Sequence, residues 1–240
     1  MTPAALIVGA GDATGGAIAR RFARGGLVAC PVRRTADALA PLVASIEAEG
    51  HRAVPFGRDA RVEQQMVELV EEIEITIGPI EVAVFNVGAN VPASILEETE
   101  RKYRKIWELA ALGGFLTGRE AAKRMAPRGR GTIIFTGATA SVRGREHFAA
   151  FAGAKHALRA LAQSMARELG PKGVHVAHVI IDGAIDTAFI RDTFPALYAR
   201  KADGGILDPE HIAEHYWMLH TQPRDTWTFE LDLRPWSETW

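Results

Sequence analysis

The sequence predicts an α/β fold, a doubly wound parallel sheet of about seven strands with helices on both faces. Three observations carry this. Short apolar runs alternate with longer helix-like stretches along the whole chain. Runs such as Ile80–Phe85 are apolar almost throughout, as strands covered on both faces are. Gly stands where helices end, at Gly25-Gly26, Gly50, Gly78, Gly129 and Gly131, the residue that closes helix C-termini.

Taken in order, strands are expected near 4–9, 27–32, 52–57, 80–86, 131–136, 173–180 and 227–233. Helices are expected near 15–25, 35–49, 61–76, 99–126, 148–169, 187–200 and 209–221. No linker-like stretch or repeat interrupts the pattern, so residues 1–240 read as one domain. Helix 148–169 is apolar around most of its circumference, and helix 99–126 carries the small-residue stretch Ala110-Ala111-Leu112-Gly113-Gly114-Phe115. A helix apolar on several sides is covered on several sides. Internal packing and a subunit contact both remain open for this pair.

Composition narrows the function classes. Of 240 residues, 48% are hydrophobic and 24% charged, the proportions of an ordered globular chain. Lys plus Arg number 28 against 29 for Asp plus Glu, so no basic excess points to nucleic acid. Cys30 stands alone and can form no internal disulfide, which fits a reducing, cytoplasmic home. No apolar run reaches the roughly 18 residues of a membrane span. Met1-Thr2-Pro3 leads straight into the first strand without a basic leader, so export is not expected. No metal site is expected.

The first strand ends in Val8-Gly9-Ala10-Gly11-Asp12-Ala13-Thr14-Gly15-Gly16 and a helix follows. Strand, glycine-rich turn and helix form the context of a dinucleotide site: the backbone approaches the pyrophosphate and the helix N-terminus offers free N–H groups. The G-x-G-x-x-G spacing fails at Thr14, and a wider spacing of Gly9, Ala13 and Gly15 fits instead.

With Val8 and Ala13 in two of its places, this turn resembles the T-G-x-x-x-G-x-G turn of the short-chain dehydrogenase/reductase family. Other motifs fall in the family's order across almost the whole chain. Arg58-Asp59-Ala60 is similar to the segment that contacts adenine, and Phe85-Asn86-Val87-Gly88 resembles N-N-A-G after strand four. Phe151-Ala152-Gly153-Ala154-Lys155 stands where Y-x-x-x-K belongs, and Asp182-Gly183-Ala184-Ile185-Asp186-Thr187 resembles P-G-x-x-x-T. The resemblance implies a single Rossmann-like domain, a substrate lid near 187–207, and an oxidoreductase forming a homodimer or homotetramer through helices 99–126 and 148–169. The cofactor contacts it implies are Gly9, Gly11, Asp12, Ala13, Gly15, Asp59, Ala60, Asn86, Gly88, Lys155, Gly183, Ile185 and Thr187. Asp59 either accepts from the adenine amino group or only caps the following helix.

Strand two ends Val32-Arg33-Arg34, with no acid to hold a ribose 2′-hydroxyl and two guanidiniums suited to a 2′-phosphate. In the family's register this favours NADP(H), with NAD less favoured.

The family's catalytic set is Asn, Ser, Tyr and Lys. By register, Lys155 is kept, while Ala110, Ala138 and Phe151 stand at the Asn, Ser and Tyr places. Phe and Ala have no proton to exchange. Thr139 and Ser141 lie near the Ser place; Asp182, His147 and Tyr198 are weighed as substitute proton donors, Asp182 first. His156 points to another face. Trp217, Trp227, Trp236 and Trp240 crowd the C-terminal end, for packing. Two functions stay open: an NADP(H)-dependent oxidoreductase on an unknown carbonyl or alcohol with a non-standard proton relay, and a catalytically inert cofactor-binding relative, a pseudoenzyme or NADP(H) sensor.

Overall fold

The computed structural model describes residues 1–88 and 90–239. Among these, seven strands form one sheet: β1 Ala4–Val8, β2 Val28–Arg33, β3 Phe56–Gly57, β4 Ile80–Phe85, β5 Thr132–Thr136, β6 His175–Ile181 and β7 Glu230–Leu233. They pair in the order β3-β2-β1-β4-β5-β6-β7, and every neighbouring pair is parallel. The order reverses between β1 and β4, so the loops at their C-terminal ends diverge and leave a crevice between them.

The helices are α1 Thr14–Arg24, α2 Ala40–Ala48, α3 Glu63–Thr76, α4 Glu100–Trp107, α5 Gly113–Arg128, α6 Ala149–Leu169, α7 Ala188–Thr193, α8 Pro195–Tyr198 and α9 Pro209–Thr221. Strand side chains alternate between two faces. In β1, Leu6 and Val8 enter a core with Met66, Leu69 and Ile73 of α3, Leu116 and Met125 of α5 and Leu158 of α6. Ala5 and Ile7 enter the opposite core with Ile18 and Phe22 of α1, Ile46 of α2 and Tyr216 of α9. No helix among the described residues is long and apolar enough to cross a membrane.

Several elements depart from the sequence reading. The strand expected at 52–57 is a ladder only at Phe56–Gly57, plus an isolated bridge at Ala53. Pro55 between them has no N–H to donate. The helix expected at 35–49 opens as a 3-10 turn at Ala36–Leu39, with Pro41 in the first turn of α2. The helix expected at 187–200 breaks into α7, α8 and a 3-10 turn at Ala199–Asp203, since Pro195 starts a new helix. The helix expected at 99–126 is interrupted by a π-turn, Glu108–Leu112, centred on Ala110. Gly25 adopts no left-handed conformation, having φ −76°. It is small because the Trp217 ring lies 2.1 Å from where its Cβ would stand. Trp217 also packs edge-on to Phe22, and Trp227 stacks on His175. Trp236 is 81% exposed, and Trp240 lies outside the described residues.

Candidate functional site

The loops after β1, β4, β5 and β6 surround a cleft of about 1020 Å³. Its nucleotide side is lined by Gly9, Gly11, Asp12, Ala13, Gly15, Asn86 and Gly88, and its floor by Lys155. Asp182, Gly183 and Ile185 close the opposite wall. A second cavity of about 550 Å³ shares Asp12 and Ala13 and takes Thr187.

The glycines divide by what they serve. A Cβ on Gly15 would stand 2.4 Å from the Gly9 carbonyl oxygen, and one on Gly9 2.7 Å from that of Asn86. These two let the chain close its own turn, and Gly9 has φ +88°. The Asn86 side chain clamps the same turn, donating to the Gly9 carbonyl at 3.1 Å. Gly11 and Gly88 meet nothing within 4 Å, and both line the cleft. Behind them α1 starts without a side-chain cap or an acid in its first turn. Open space beside glycine backbone and an uncapped helix N-terminus fit a pyrophosphate.

The adenine end is different. Among the described residues, neither cavity wall includes Arg33, Arg34, Asp59 or Ala60. Arg33 reaches back, 3.4 Å from Asp12 and 3.3 Å from the Ala38 carbonyl, while Arg34 is exposed. The Asp59 carboxylate is held on both oxygens by Arg61, and the hydrogen bond from that guanidinium lowers its pKa. Asp59 also accepts the Arg61 N–H, but the N-cap of α3 is Val62. Asp59 thus braces the loop before the helix without capping the helix itself.

Lys155 is buried under the cleft, and burial lowers its ammonium to about 8. It donates to the carbonyls of Thr136 at 2.7 Å and Val87 at 3.2 Å. Those two contacts tie α6 to the ends of β4 and β5. Phe151, one turn earlier, lies with its ring centroid 5.8 Å from the ammonium. Ala138 and Phe151 line the cleft, and Ala110 is buried behind them. All three pack in one apolar cluster with Ile106, Ala111, Ala140, Ala150 and Ala154. The three places that lack a hydroxyl or amide are therefore neighbours, packed on one another.

Polar groups line the same cleft. Asp182, 4% exposed, accepts from the Thr139 hydroxyl and from Arg143 Nη2 at 2.9 and 3.2 Å. Arg234 approaches it at 3.8 Å and is itself bound to Asp232. Thr139 and Arg143 line the cleft. Arg143 was not singled out by the sequence. The available signal was a pair of arginines astride Gly144, just after the Ser place.

The remaining candidates fall away from the chemistry. His147 is exposed, has φ +67°, and uses its carbonyl to accept the Ala93 N–H. Tyr198 is engaged with Asp186, whose pKa is lowered first by Lys201 and also by this Tyr. The Thr187 hydroxyl caps α7 by accepting the Ile190 N–H. His156 bonds the Ala152 carbonyl within its own helix. Behind the wall, His178 shares a hydrogen bond with Glu230, which Arg159 holds bidentately. Burial lowers the His178 pKa to about 4. Its ring stands 2.4 Å from where a Cβ of Gly137 would be, so that position beside Ala138 admits no side chain.

A family profile for short chain dehydrogenases matches residues 3–197. The crystal structure of a short-chain dehydrogenase from Rhodopseudomonas palustris is 46% identical, with TM-score 0.84 over 98% of this chain and 99% of that one. A metagenomic short-chain oxidoreductase in complex with NADP is 23% identical, with TM-score 0.84 over 98% of each chain, and shares the fold. The cis-4-hydroxycyclohexanecarboxylate dehydrogenase of Sinomonas cyclohexanicum is 26% identical over 88% of this chain and 86% of its own. On these matches the chain belongs to the short-chain dehydrogenase/reductase family, whose members are oxidoreductases that bind NAD(P).

Proposed function

We propose that the protein is an NADP(H)-dependent oxidoreductase acting on an alcohol or carbonyl through a proton path made by Thr139 and Asp182. The observation that carries this reading is the Thr139–Asp182–Arg143 clasp, whose residues line the same cleft as Lys155. When bound, the nicotinamide supplies or accepts the hydride. Lys155, which spends two of its three donors on the carbonyls of Thr136 and Val87, would hold a ribose hydroxyl with the third. The Thr139 hydroxyl gives its hydrogen to Asp182, so its oxygen lone pairs are free to accept an alcohol O–H. As the alcohol is oxidised, its proton passes to Thr139 Oγ1 and the Thr139 proton passes to Asp182. Reduction runs the same two transfers backwards. Arg143 stabilises negative charge on the substrate oxygen without moving a proton.

Arg33 and Arg34 support NADP(H) over NAD(H), since exposed guanidiniums at this strand end suit a 2′-phosphate. Replacing both by Ala is expected to weaken NADPH binding about 10–100-fold more than NADH binding, read by fluorescence titration. Equal losses would remove the assignment. For the chemistry, a panel of alcohols and ketones is assayed with wild type, Thr139→Val and Asp182→Asn. Each substitution is expected to lower turnover about 10²-fold or more while NADPH still binds. Turnover that survives both substitutions would sink the proton path.

A second reading has its own support: Ala110, Ala138 and Phe151 share one apolar cluster, as in a relative that binds cofactor without turning it over. Absence of turnover across the panel, with NADPH bound, favours it. The wider setting is proposed with the function: one domain over residues 1–240, a lid near 187–207, a cytoplasmic home, and a homodimer or homotetramer. Leu197 and Arg200 of the lid segment line the cleft, and Cys30 is a free, buried thiol. Trp107 and Phe115 are exposed, at 41% and 39%, beside the π-turn on the face expected to meet a partner. On the same helix, Ala160 is exposed and Ala157 is half-buried against the apolar cluster. A monomer in sedimentation at micromolar concentration would contradict the assembly.

A further inference from the structure

The substrate end of the cleft has an uneven charge pattern. Arg143, Arg145 and Arg200 all line it, with Phe148, Phe151 and Leu197 on the same walls. Arg143 commits one nitrogen, Nη2, to Asp182. Arg200 spends Nη2 on neutral partners, the carbonyl and hydroxyl of Ser237, at 3.3 and 3.0 Å. Arg145 makes no ion pair among the described residues. The acids at this end are Asp182, already clasped, and Glu238, which lies against Gly183. Lys155 adds a further cation at the floor, its pKa lowered by burial to about 8. The three guanidiniums of Arg143, Arg145 and Arg200 thus outnumber the two carboxylates of this end, Asp182 and Glu238, which leaves N–H groups for a carboxylate brought by a ligand. A planar fork of such donors matches a carboxylate, and the aromatic walls match an apolar body attached to it.

We propose that the substrate of this cleft carries a carboxylate on a compact apolar frame, received by Arg143, Arg145 and Arg200 while Phe148 and Phe151 cover the frame. The inference rests on the oxidoreductase reading for the cleft, but it concerns binding and needs no turnover to be tested.

The probes are benzoate and hexanoate, each paired with its neutral isostere, benzamide and hexanamide. They are titrated calorimetrically into the NADP⁺-loaded protein at low ionic strength. The carboxylates are expected to bind about tenfold or more tightly than the amides, as charge-assisted hydrogen bonds are the stronger ones. Arg143→Gln and Arg200→Gln are each expected to lower carboxylate affinity about fivefold to tenfold and to leave amide affinity unchanged. Because Arg143 also braces Asp182, the double variant Arg145→Gln with Arg200→Gln keeps the test independent of that brace. Amides binding as tightly as carboxylates would overturn the proposal, as would carboxylate affinity indifferent to the arginine variants, or no binding by any probe. Binding of NADP⁺ is measured on the same samples. Its failure would count against the oxidoreductase reading, whereas failure of the carboxylates alone counts only against this substrate class.

Discussion

The two sides of the cleft were built to different standards. On the nucleotide side the requirements fall on the main chain. Gly9 and Gly15 close a turn that admits no Cβ, Asn86 clamps it, and Gly11 and Gly88 leave space for a ligand. On the substrate side the requirements fall on side-chain chemistry, and the places where the resemblance expects the family's groups hold Ala and Phe. Ala110, Ala138 and Phe151 have joined one apolar cluster, and the polar contacts of the same cleft begin right beside it, at Thr139, which clasps Asp182 together with Arg143. A backbone-dictated site tolerates little drift, because a misplaced Cβ collides with backbone. A chemistry-dictated site can be moved to other side chains when its neighbours change together.

The largest effect expected from this contrast comes from restoring the missing hydroxyls. Phe151→Tyr and Ala138→Ser both place oxygen on the cleft wall beside Lys155, since both positions line the cleft. Positioned acid–base groups contribute about 10²–10⁴-fold and act as a unit. The double variant is expected to reduce ketones about 10²-fold faster than wild type, by more than the product of the single changes. NADPH consumption over a ketone panel measures it. If either single change gives the whole gain, the two positions do not act as a unit; if the double variant gives none, the substituted cluster is not where proton supply is lost.

Next in size is a contrast between two glycines four residues apart. Gly15→Ala drives a Cβ against the Gly9 carbonyl and the Ala10 Cα, neither of which can swing aside. Overpacking of this kind costs about 3 kcal/mol, or about 6–12 °C in Tm for a chain of this size. Gly11→Ala meets nothing and is expected to leave Tm unchanged while weakening NADPH binding, because the added methyl enters the cleft. Equal Tm losses in both variants would show that the turn is uniformly tight and that Gly11 is structural too.

The same division governs what could be read from the sequence. The five inner strands were legible, because apolar runs covered on both faces carry their own signature, whereas the edge strands β3 and β7 are shorter than the runs read for them; the glycine turn was legible by its place between strand and helix. The family register expects Phe151, Ala138 and Ala110 at the catalytic places. Their mutual packing was not legible, because 110, 138 and 151 meet only through tertiary structure. Asp182 stood out as an unexpected acid. Its partner Arg143, 39 residues earlier, did not, since nothing local links them. The capture of Asp59 by Arg61 was within reach, as a carboxylate two residues from a guanidinium in a loop meets it easily. The π-turn at Glu108–Leu112 had no signal in a stretch of good helix formers.

The smallest effect concerns Lys155, which belongs to both sides. Its folded pKa lies near 8, below the ordinary 10.5, because burial penalises the ammonium. Below pH 8 the folded and unfolded chains are both protonated here, and the full penalty of the buried charge is present. Between 8 and 10.5 the unfolded chain binds the proton and the folded chain sheds it, so stability rises with pH. The Cys30 thiol is pushed up to about 12, and its ionisation in the unfolded chain pulls stability the other way above about pH 9. The window to read is therefore pH 8 to 9, where Lys155 is expected to add about 1 kcal/mol. Denaturant titrations of wild type and Lys155→Met at the two pH values isolate it: the gain belongs to wild type and is absent from the variant. The same gain in both proteins would place its source elsewhere. A wild type without it would mean that the carbonyls of Thr136 and Val87 hold the ammonium charged, and that Lys155 meets the ribose as a cation throughout the neutral range.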